Sequence, residues 1–336
     1  MRFRGLWLVA LLAAAVLVLD GAPPARSAAS AKPACPSRIL VLSAYPGEIG
    51  KNLAALKLEK TVVLENRSFY VGRLGRTDVV LALTGIGLVN AEQTSKLAVG
   101  HFRCGGKSVI SNIVFSGVAG GRTFIGDVIV PSRWTLDDGK TWMPVDSKMF
   151  AVARTLKVGP SMRLSQDAKV GDAACLGDDP QRVQAVHVEQ HPKLIVGGKG
   201  KSTDPFNGRA FTCIPCGGDV FGCEPCQAQR NIAAAAGRFG ATAPAFIDPA
   251  FFLGYFNNPS PATTNYDSED MESGAVAKVA RANRIPFLAF RGVSDGQGDP
   301  LGLPGFPFQF FAYRQLAADN AATAVQAFLL AWSGRR

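Results

Sequence analysis

Five apolar segments constrain the fold of this chain more than any other feature. They cover residues 39–44, 78–83, 108–115, 127–130 and 286–290, and they are apolar at successive rather than alternate positions. A strand that is apolar on both faces is one that other structural layers cover on both sides. These segments therefore predict the strands of a buried central sheet.

Segments with helical spacing lie between the apolar strands. In residues 48–56, apolar side chains recur on one helix face, and residues 89–99 and 318–332 give two further helices. Alternating strands and helices predict an α/β fold, a three-layer αβα sandwich around a twisted mixed central sheet. The 336 residues, 47% of them hydrophobic, are enough for one large domain, which we expect at 36–333.

The N-terminus has the layout of a secretory signal peptide. Arg2 and Arg4 precede an apolar run of 14 residues, Leu6 to Leu19, and small and Pro-rich residues follow. The run is shorter than the roughly 20 residues that span a bilayer. We therefore expect residues 1–31 to be a cleaved signal, the mature protein to be periplasmic or secreted, and membrane contact to occur only through targeting.

A Cys-rich segment interrupts the α/β pattern. Residues 199–245 are rich in Gly, Pro and Cys, and we interpret them as a loop insertion that carries two Cys-x-x-Cys pairs: Cys213 with Cys216, and Cys223 with Cys226. In an oxidising compartment these cysteines are expected to form disulfides. The same spacing is typical of structural zinc, which stays the alternative. We expect no other cofactor.

The charge pattern gives no indication of a nucleic-acid site. The formal net charge is +10, but Lys and Arg are scattered without a dense basic run. Aromatic residues do not interleave with them, as they do in grooves that bind single strands. We therefore expect a small-molecule ligand and no nucleic-acid partner.

Glu272 stands out because of its position on a predicted helix. Residues 270–283 are rich in Ala and Val, and Glu272 shares the apolar face with Ala275, Val276 and Val279. A carboxylate on a buried face is costly unless it is paired or hydrogen-bonded. A purely structural role at the helix N-terminus suits Asp270 better. We therefore expect Glu272 to bind a ligand.

Two other acids follow predicted strands. Asp295, after Ser294, ends the strand that begins at 286, and Glu48 lies where the first strand gives way to a helix. Ligands of open α/β sheets bind beyond the carboxyl ends of strands. Glycine-rich loops at 84–87 and 116–121 also follow strands, and such loops let the backbone approach a ligand closely.

These motifs together resemble those of one superfamily. The segments 44–48, 85–87, 116–121, 126–130, 270–272 and 291–295 occur in the order found in the purine nucleoside phosphorylase and uridine phosphorylase superfamily. They are most similar to the methylthioadenosine/S-adenosylhomocysteine nucleosidase branch. The resemblance covers about 39–130 and 246–332. It implies the αβα fold, a homo-oligomer, and cleavage of the N-glycosidic bond of a purine nucleoside.

The resemblance also implies roles for the acids. Asp295 would be the general acid that serves purine N7, with Ser294 supporting it. Glu272 would accept hydrogen bonds from the ribose hydroxyls, and Met271 would pack against the sugar. Glu48 would position or activate the attacking water.

Backbone and apolar groups would complete the predicted site. The backbone at Gly87, Val118, Ala119 and Gly120 would line the base and the sugar. Phe310, or its neighbour Phe311, would close the pocket over the 5′ substituent.

Two features differ from the nucleosidase pattern. Val118 stands where the nucleosidases often have a small polar residue. The aromatic segment that clamps the purine is interrupted by the Cys-rich insertion, with 197–200 and 246–248 as its two flanks.

Arg291, four residues before Asp295, is interpreted as structural.

The attacking group is interpreted as water rather than phosphate. Phosphorolysis needs cations around a phosphate, usually Arg, and the loop at 84–88 carries none. Arg67 and Arg122 could supply a cation from elsewhere, so a phosphate-dependent nucleoside phosphorylase stays the alternative. A non-catalytic nucleoside-binding protein is the further alternative.

Overall fold

The structure is a computed structural model, and it describes residues 35–170, 184–215, 217–225, 254, 257–260 and 265–334. The predicted signal peptide lies outside the described residues, as do Cys175, Cys216 and Cys226. Within the described part of the chain, no helix is long and apolar enough to span a bilayer.

Short strands and a few long ones alternate with the helices. In chain order the strands are β1 (Arg38–Ser43), β2 (Leu56–Leu64), β3 (Arg67–Leu74), β4 (Thr77–Leu83), β5 (Arg103–Cys104), β6 (Lys107–Ser108), β7 (Ile110–Phe124), β8 (Val128–Val130), β9 (Arg133–Thr135), β10 (Met143–Pro144), β11 (Asp167–Val170), β12 (Gln184–His187), β13 (Leu194–Val196), β14 (Lys199–Ser202), β15 (Ser268–Asp270) and β16 (Phe287–Gln297). The helices are α1 (Pro46–Ala54), α2 (Leu88–His101), α3 (Ser147–Ala153), α4 (Gly218–Phe221), α5 (Ser273–Ala282) and α6 (Phe308–Ser333).

One large mixed sheet forms the middle of the fold. Its strand order is β10-β9-β14-β15-β7-β1-β4-β3-β2, with β16 beside β7 and β8, and β13 beside β8. The central strands β4, β1, β7 and β16 run parallel, whereas β2, β3 and β4 form antiparallel pairs. The predicted mixed central sheet is confirmed.

Two apolar cores lie on opposite faces of this sheet. Along β1, Leu40 and Leu42 belong to one core, and Ile39 and Val41 belong to the other. Side chains of α2 and α5 fill the first core, whereas those of α1, α3 and most of α6 fill the second. Successive residues of a strand point to opposite faces, so a strand buried on both must be apolar at every position. The predicted three layers are therefore present.

The boundaries of several elements differ from prediction. The strand predicted at 108–115 continues to Phe124, and the helix predicted at 318–332 begins at Phe308. The hairpin of β2 and β3 was not predicted, because most of β2 is solvent-exposed and its sequence lacks a buried run. Its turn is made by Glu65 and Asn66, both at positive φ.

The Cys-rich insertion leaves the sheet between β14 and β15. These two strands are parallel neighbours, and the described residues between 203 and 267 lie outside the large sheet. Residues 199–202, which the sequence analysis assigned to the insertion, are the sheet strand β14. β14 pairs with β9 on one side and with β15 on the other, so these residues are part of the sheet and not of the inserted loop.

Two disulfides are present among the described cysteines. Cys213 bonds to Cys223, which supports the disulfide interpretation of the insertion. This bond uses two of the four thiolates that the zinc alternative needs, while Cys216 and Cys226 lie outside the described residues. The second disulfide, Cys35–Cys104, joins the start of the described chain to β5, and the sequence left it unassigned.

Candidate active site

The predicted acids meet at one edge of the sheet, around a cavity of about 660 Å³. Glu48 follows β1, Glu272 follows β15, and Asp295 lies near the end of β16. All three carboxylates border the cavity, and each residue is no more than 5% exposed. Three buried acids from separate parts of the chain thus lie around one space. The sequence placed Glu48 and Asp295 at strand ends and Glu272 on a helix.

Glu48 lies in the first turn of α1, which Pro46 starts because its fixed φ suits the first helical position. Its Oε2 accepts a hydrogen bond from the Ala44 N–H at 2.5 Å, and its Oε1 accepts one from Val118 N–H at 2.7 Å. Burial raises the pKa of Glu48 to about 7, although Arg291 and the two N–H donors oppose the rise. The carboxyl group can therefore gain or lose a proton near neutral pH.

Glu272 precedes α5, whereas the sequence pattern placed it on the apolar face of the helix itself. It is the N-cap residue, and the helix begins at Ser273. Its Oε1 accepts a hydrogen bond from the Gly87 N–H at 2.9 Å, and its Oε2 accepts one from Arg291 Nη2 at 3.2 Å. Burial raises the pKa of Glu272, and the charge of Arg291 opposes the rise.

Asp270 organises the turn that presents Glu272. Its Oδ1 accepts hydrogen bonds from the N–H groups of Glu272 at 3.1 Å and Ser273 at 3.2 Å, and from the Ser202 hydroxyl. These are the bonds of a helix N-terminus, as the sequence analysis suggested for this residue. Its other oxygen lies 3.2 Å from Arg291 Nε.

Arg291 is the cation at the centre of the acids, although its sequence context indicated only a structural role. It is buried on β16, with its guanidinium 4.7 Å from the centre of the Phe115 ring, and it also donates to the Val118 carbonyl. A Cβ on Gly117 would lie 2.6 Å from both Arg291 Nη1 and Glu48 Oε1. A glycine is therefore required where these two groups approach the same point of β7.

Asp295 and Ser294 are aimed into the site by an irregularity of β16. The pairing of β16 with β7 shifts between Val293 and Asp295, and such bulges redirect side chains. The Ser294 hydroxyl donates to Asp295 Oδ2 at 2.6 Å. Asp295 Oδ1 is buried without a hydrogen-bond partner among the described residues. Burial raises the pKa of Asp295 to about 6, and the bond from Ser294 opposes the rise.

The other predicted site residues are also at the cavity, with one exception. The lining includes Met271, Val118, Ala119, Gly120 and Phe310. Of the two phenylalanines that the sequence left as alternatives, Phe310 borders the cavity and Phe311 does not.

Gly87 is the exception. It does not line the cavity, but it binds Glu272 through its N–H. Its φ of 97° is one that residues with a Cβ rarely adopt.

The insertion contributes to the cavity in a way that the sequence did not specify. Phe206, Phe211, Val220 and Phe221 line it. Of the two segments proposed as flanks of the purine clamp, 246–248 lie outside the described residues. The other flank leads into β14, whose Lys201 lines the cavity.

The cations at the cavity are paired with acids. Lys201 Nζ lies 2.6 Å from Asp138 Oδ1 and 3.6 Å from Glu269 Oε1, and Arg291 is surrounded by carboxylates. Arg67 and Arg122, the candidates for a phosphate site, do not border the cavity. Arg67 donates to Gln93 Oε1 at 3.0 Å, and Arg122 pairs with Asp267.

The fold is that of α/β proteins with a mixed central sheet, and its buried acids border a cavity at one edge of that sheet. The chain belongs to the phosphorylase superfamily, whose family model matches residues 38–176 and 260–330. The unmatched residues between these two segments include most of the insertion.

Two mycobacterial sequences are similar to this chain. The uncharacterized protein Rv2293c of Mycobacterium tuberculosis is 45% identical over 190 residues, which cover 55% of this chain and 76% of that protein. The uncharacterized protein Rv2292c of the same organism is 56% identical over 69 residues, which cover 20% of this chain and 93% of that protein.

Solved structures of nucleosidases share the fold. The 5′-methylthioadenosine/S-adenosylhomocysteine nucleosidase of Neisseria meningitidis, in complex with methylthio-immucillin-A, is 17% identical with a TM-score of 0.51, covering 87% of this chain and 98% of that chain. The same enzyme of Colwellia psychrerythraea, in complex with adenine, has a TM-score of 0.52 at 17% identity, covering 88% and 96%. The futalosine hydrolase of Helicobacter pylori has a TM-score of 0.50 at 15% identity, covering 89% and 98%. The resemblance read from the sequence is confirmed.

Proposed function

We propose that this protein is a nucleosidase that hydrolyses the N-glycosidic bond of a purine nucleoside, either one like methylthioadenosine or adenosylhomocysteine or a purine ribonucleoside. The observation that carries the proposal is the meeting of three buried acids in one cavity, one of which, Asp295, presents an oxygen without a partner among the described residues. Hydrolysis of this bond needs a proton for the leaving base, stabilisation of a cationic sugar, and a water.

Asp295 suits the role of general acid. A purine leaves more easily when N7 is protonated, and Asp295 Oδ1 is available to deliver that proton. A pKa of about 6 keeps a fraction of the group protonated at neutral pH, and a general acid works best when its pKa is near the working pH. The hydroxyl of Ser294 fixes the orientation of the carboxyl group through Oδ2.

Glu272 suits the sugar. Its two oxygens accept one hydrogen bond each from Gly87 and Arg291, and a carboxylate oxygen can accept a second. The ribose 2′ and 3′ hydroxyls would supply those further donors. A negative charge beside the ring also stabilises the oxocarbenium character of the transition state. Met271 lines the cavity next to Glu272 and would pack against the sugar.

Glu48 suits the activation of water. Two backbone N–H groups fix its carboxylate, and its pKa of about 7 lets it accept a proton at neutral pH. Arg291 Nη1 and Glu48 Oε1 approach the same point beside Gly117, so the guanidinium can stabilise the carboxylate before it takes the proton.

The same charges favour water over phosphate. The buried Arg291 already faces the carboxylates of Asp270 and Glu272, with Glu48 close by. A phosphate dianion here would meet more negative charge than positive, and burial would strengthen the repulsion. Arg67 and Arg122, the arginines considered for phosphate, do not line the cavity, so the described residues offer phosphate no cation there beyond the paired Arg291 and Lys201.

Similar proteins and the cysteines support two further parts of the proposal. Two of the similar nucleosidase structures hold methylthio-immucillin-A and adenine, which supports a purine nucleoside ligand. The disulfides agree with export to a periplasmic or extracellular location, where such bonds persist.

We further propose that the protein needs no metal, and that it forms a homo-oligomer. Metal analysis of freshly purified protein tests the first, and sedimentation tests the second.

Product analysis tests the proposed reaction. The protein is incubated with adenosine, inosine or methylthioadenosine, with and without phosphate, and the products are separated by chromatography. We expect free base and free sugar at the same rate in both buffers. Sugar 1-phosphate that forms only with phosphate would replace the hydrolase by a phosphorylase. Binding of a nucleoside without turnover would indicate the binding protein instead.

A further inference from the structure

The first turn of α1, which carries Glu48, is buried where α6 and the Cys-rich insertion meet. Tyr45, Gly47 and Glu48 are all buried. An added Cβ on Gly47 would lie 3.1 Å from the main-chain oxygen of Asp219 in α4 and 3.1 Å from Oε1 of Gln315 in α6. Contacts this short are tighter than ordinary van der Waals packing, and protein interiors leave little room to relieve them. The insertion, α6 and α1 therefore fit closely together at Gly47.

A buried ion pair fixes the insertion at this contact. Nη2 of Arg314, on α6, donates to both carboxylate oxygens of Asp219, at 3.1 and 3.0 Å. Asp219 is 1% exposed and Arg314 is 5% exposed, so the pair is shielded from water. The next residue of α6, Gln315, donates from Nε2 to the carbonyl oxygen of Gly47 at 3.4 Å. One turn of α6 thus holds both the insertion and the first turn of α1.

A second anchor holds the insertion on another element of the core. Glu224 accepts hydrogen bonds from the Ser68 hydroxyl at 3.2 Å and from the Tyr70 hydroxyl at 3.0 Å, both on β3. The Cys213–Cys223 disulfide closes the short loop that precedes this anchor. The insertion is therefore attached at two places, one beside α1 and one on β3.

The position of the first turn of α1 determines where the carboxylate of Glu48 lies. The N–H of Glu48 donates to the Tyr45 carbonyl at 3.0 Å, inside this turn. Oε2 of Glu48 accepts from the Ala44 N–H at the end of β1, and Oε1 accepts from the Val118 N–H on β7. A shift of the turn would therefore move the carboxylate relative to the two strands that bind it.

We propose that the Cys-rich insertion positions Glu48, because it holds the first turn of α1 through the contact between Asp219 and Gly47. The proposal rests on the proposed function, in which Glu48 activates the attacking water. Neither Asp219 nor Gly47 lines the cavity, so both are positioning residues that act on the reaction only through Glu48. The insertion is then part of the device that orients the base, in addition to covering the cavity.

Two glycines of α1 provide a matched test. Gly47→Ala adds a methyl group against Asp219 and Gln315, whereas Gly50→Ala adds one where no other atom lies within 4 Å. We expect Gly47→Ala to lower kcat on adenosine roughly 10- to 100-fold, since a small misplacement of a catalytic group has effects of this size. KM should stay nearly unchanged, because Glu48 acts on the water and not on the nucleoside. Gly50→Ala should keep the wild-type kcat and KM.

Asp219→Asn tests the contact from the side of the insertion. It keeps the size of the side chain but weakens the ion pair with Arg314, and it should also lower kcat. Because both substitutions disturb one contact, the double variant with Gly47→Ala should lose no more activity than the weaker of the two single variants. Losses that multiply in the double variant would overturn the proposal.

Glu224→Gln is the comparison for the second anchor. It weakens the attachment to β3, which does not carry Glu48, so its kcat should stay much closer to that of the wild type than the kcat of Asp219→Asn. An equal loss of kcat in the two anchor variants would show that any loosening of the insertion has the same effect. That outcome would overturn the specific role of the contact with α1.

Hydrogen exchange separates this inference from the proposed function. The amides of Ala44 and Val118 bond to the Glu48 carboxylate, so their exchange, followed by NMR, reports its position without turnover. Relative to the other amides of β1 and β7, we expect both to exchange roughly 10-fold faster in Gly47→Ala than in the wild type or in Gly50→Ala.

Each outcome then bears on one of the two proposals. Faster exchange of the two amides in Gly47→Ala, in a protein whose wild type hydrolyses no nucleoside, would contradict the nucleosidase and retain the positioning. Unchanged exchange, or a kcat equal to that of an active wild type, would overturn the positioning and retain the nucleosidase. If Gly47→Ala does not fold, the same two measurements on Asp219→Asn decide.

Discussion

The guanidinium of Arg291 lies 3.2 Å from the carboxylate of Glu272, and both residues are buried at the carboxyl edge of the sheet. Oδ2 of Asp270 lies at the same distance, 3.2 Å, from Nε of Arg291. Oε1 of Glu48 and Nη1 of Arg291 both approach Gly117. One cation thus holds three carboxylates in a small volume. Burial raises the pKa values of Glu48 and Glu272, and the charge of Arg291 opposes both rises.

Replacement of Arg291 should therefore damage both stability and activity. Arg291→Leu leaves the buried acids without their cation, and removal of one partner of a buried ion pair costs about 3–5 kcal/mol. The free energy of unfolding in urea should fall by this amount, and kcat/KM should fall at least 100-fold. Arg281→Leu, at an exposed arginine of α5, is the control and should change stability by less than about 0.5 kcal/mol. A variant as stable as the wild type would contradict the central position of Arg291.

The pH dependence of kcat/KM should be a narrow bell. The reaction needs Asp295 protonated, with a pKa of about 6, and Glu48 ionised, with a pKa of about 7. Two forms of the enzyme carry a single proton on this pair of acids, and only the less populated one, with the proton on Asp295, is active. The rate should therefore fall on both sides of a maximum between the two pKa values. In Glu48→Gln the residual rate should lose the acidic limb and simply decline as the pH rises through about 6. Persistence of both limbs in this variant would assign the acidic limb to another group.

Asp295→Asn should stabilise the protein above neutrality. The folded-state pKa is raised from 3.8 to about 6, so the acid costs the folded state about 3 kcal/mol once it is ionised. The wild type has its full stability below the unfolded pKa and loses this amount as the pH rises towards 6. The variant should equal the wild type at pH 3.5 and exceed it at pH 8. Denaturant unfolding at pH 3.5 and pH 8 measures the difference in stability between the variant and the wild type. A variant that is less stable than the wild type at pH 8 would show that the ionised Asp295 does not destabilise the folded state.

The central strands and the three acids could be predicted from the sequence because their signals are local. The strand at 39–44 is apolar at all positions except Ser43, and Glu272 stands directly before an apolar helical face. The role of Arg291 could not be predicted in this way, because its partners come from strands that are distant in the chain. Its signal was nonetheless visible, since an arginine within an apolar strand needs a buried acid as its partner.

The position of the insertion is the other feature that the sequence did not reveal. Asp219 and Glu224 look like ordinary polar loop residues, and only the folded chain brings them to Arg314 and to Ser68 with Tyr70. Likewise, Phe206, Phe211 and Phe221 have no strand or helix periodicity that would assign them to a cavity wall. Long-range pairing of this kind is set by topology and not by local pattern.

Asp219→Ala should release the insertion from the core. The substitution leaves the buried Arg314 without the two hydrogen bonds from Nη2 to Asp219, at a cost of about 3–5 kcal/mol. Limited proteolysis should then cleave within 203–267 before the core is cut, whereas the control Asp78→Asn, at an exposed aspartate of β4, should keep the wild-type pattern. If the insertion of Asp219→Ala resists the protease as in the wild type, this anchor does not hold it.

The role of Asp295 as general acid is tested most directly by a change of leaving group. Asp295→Asn is compared with the wild type on adenosine, whose base must be protonated to leave, and on 4-nitrophenyl riboside, whose leaving group needs no proton. Loss of general acid catalysis should lower kcat on adenosine by about 10²–10⁴-fold and leave the nitrophenyl riboside within a few-fold of the wild-type rate. An equal loss on both substrates, or no loss on adenosine, would contradict the account.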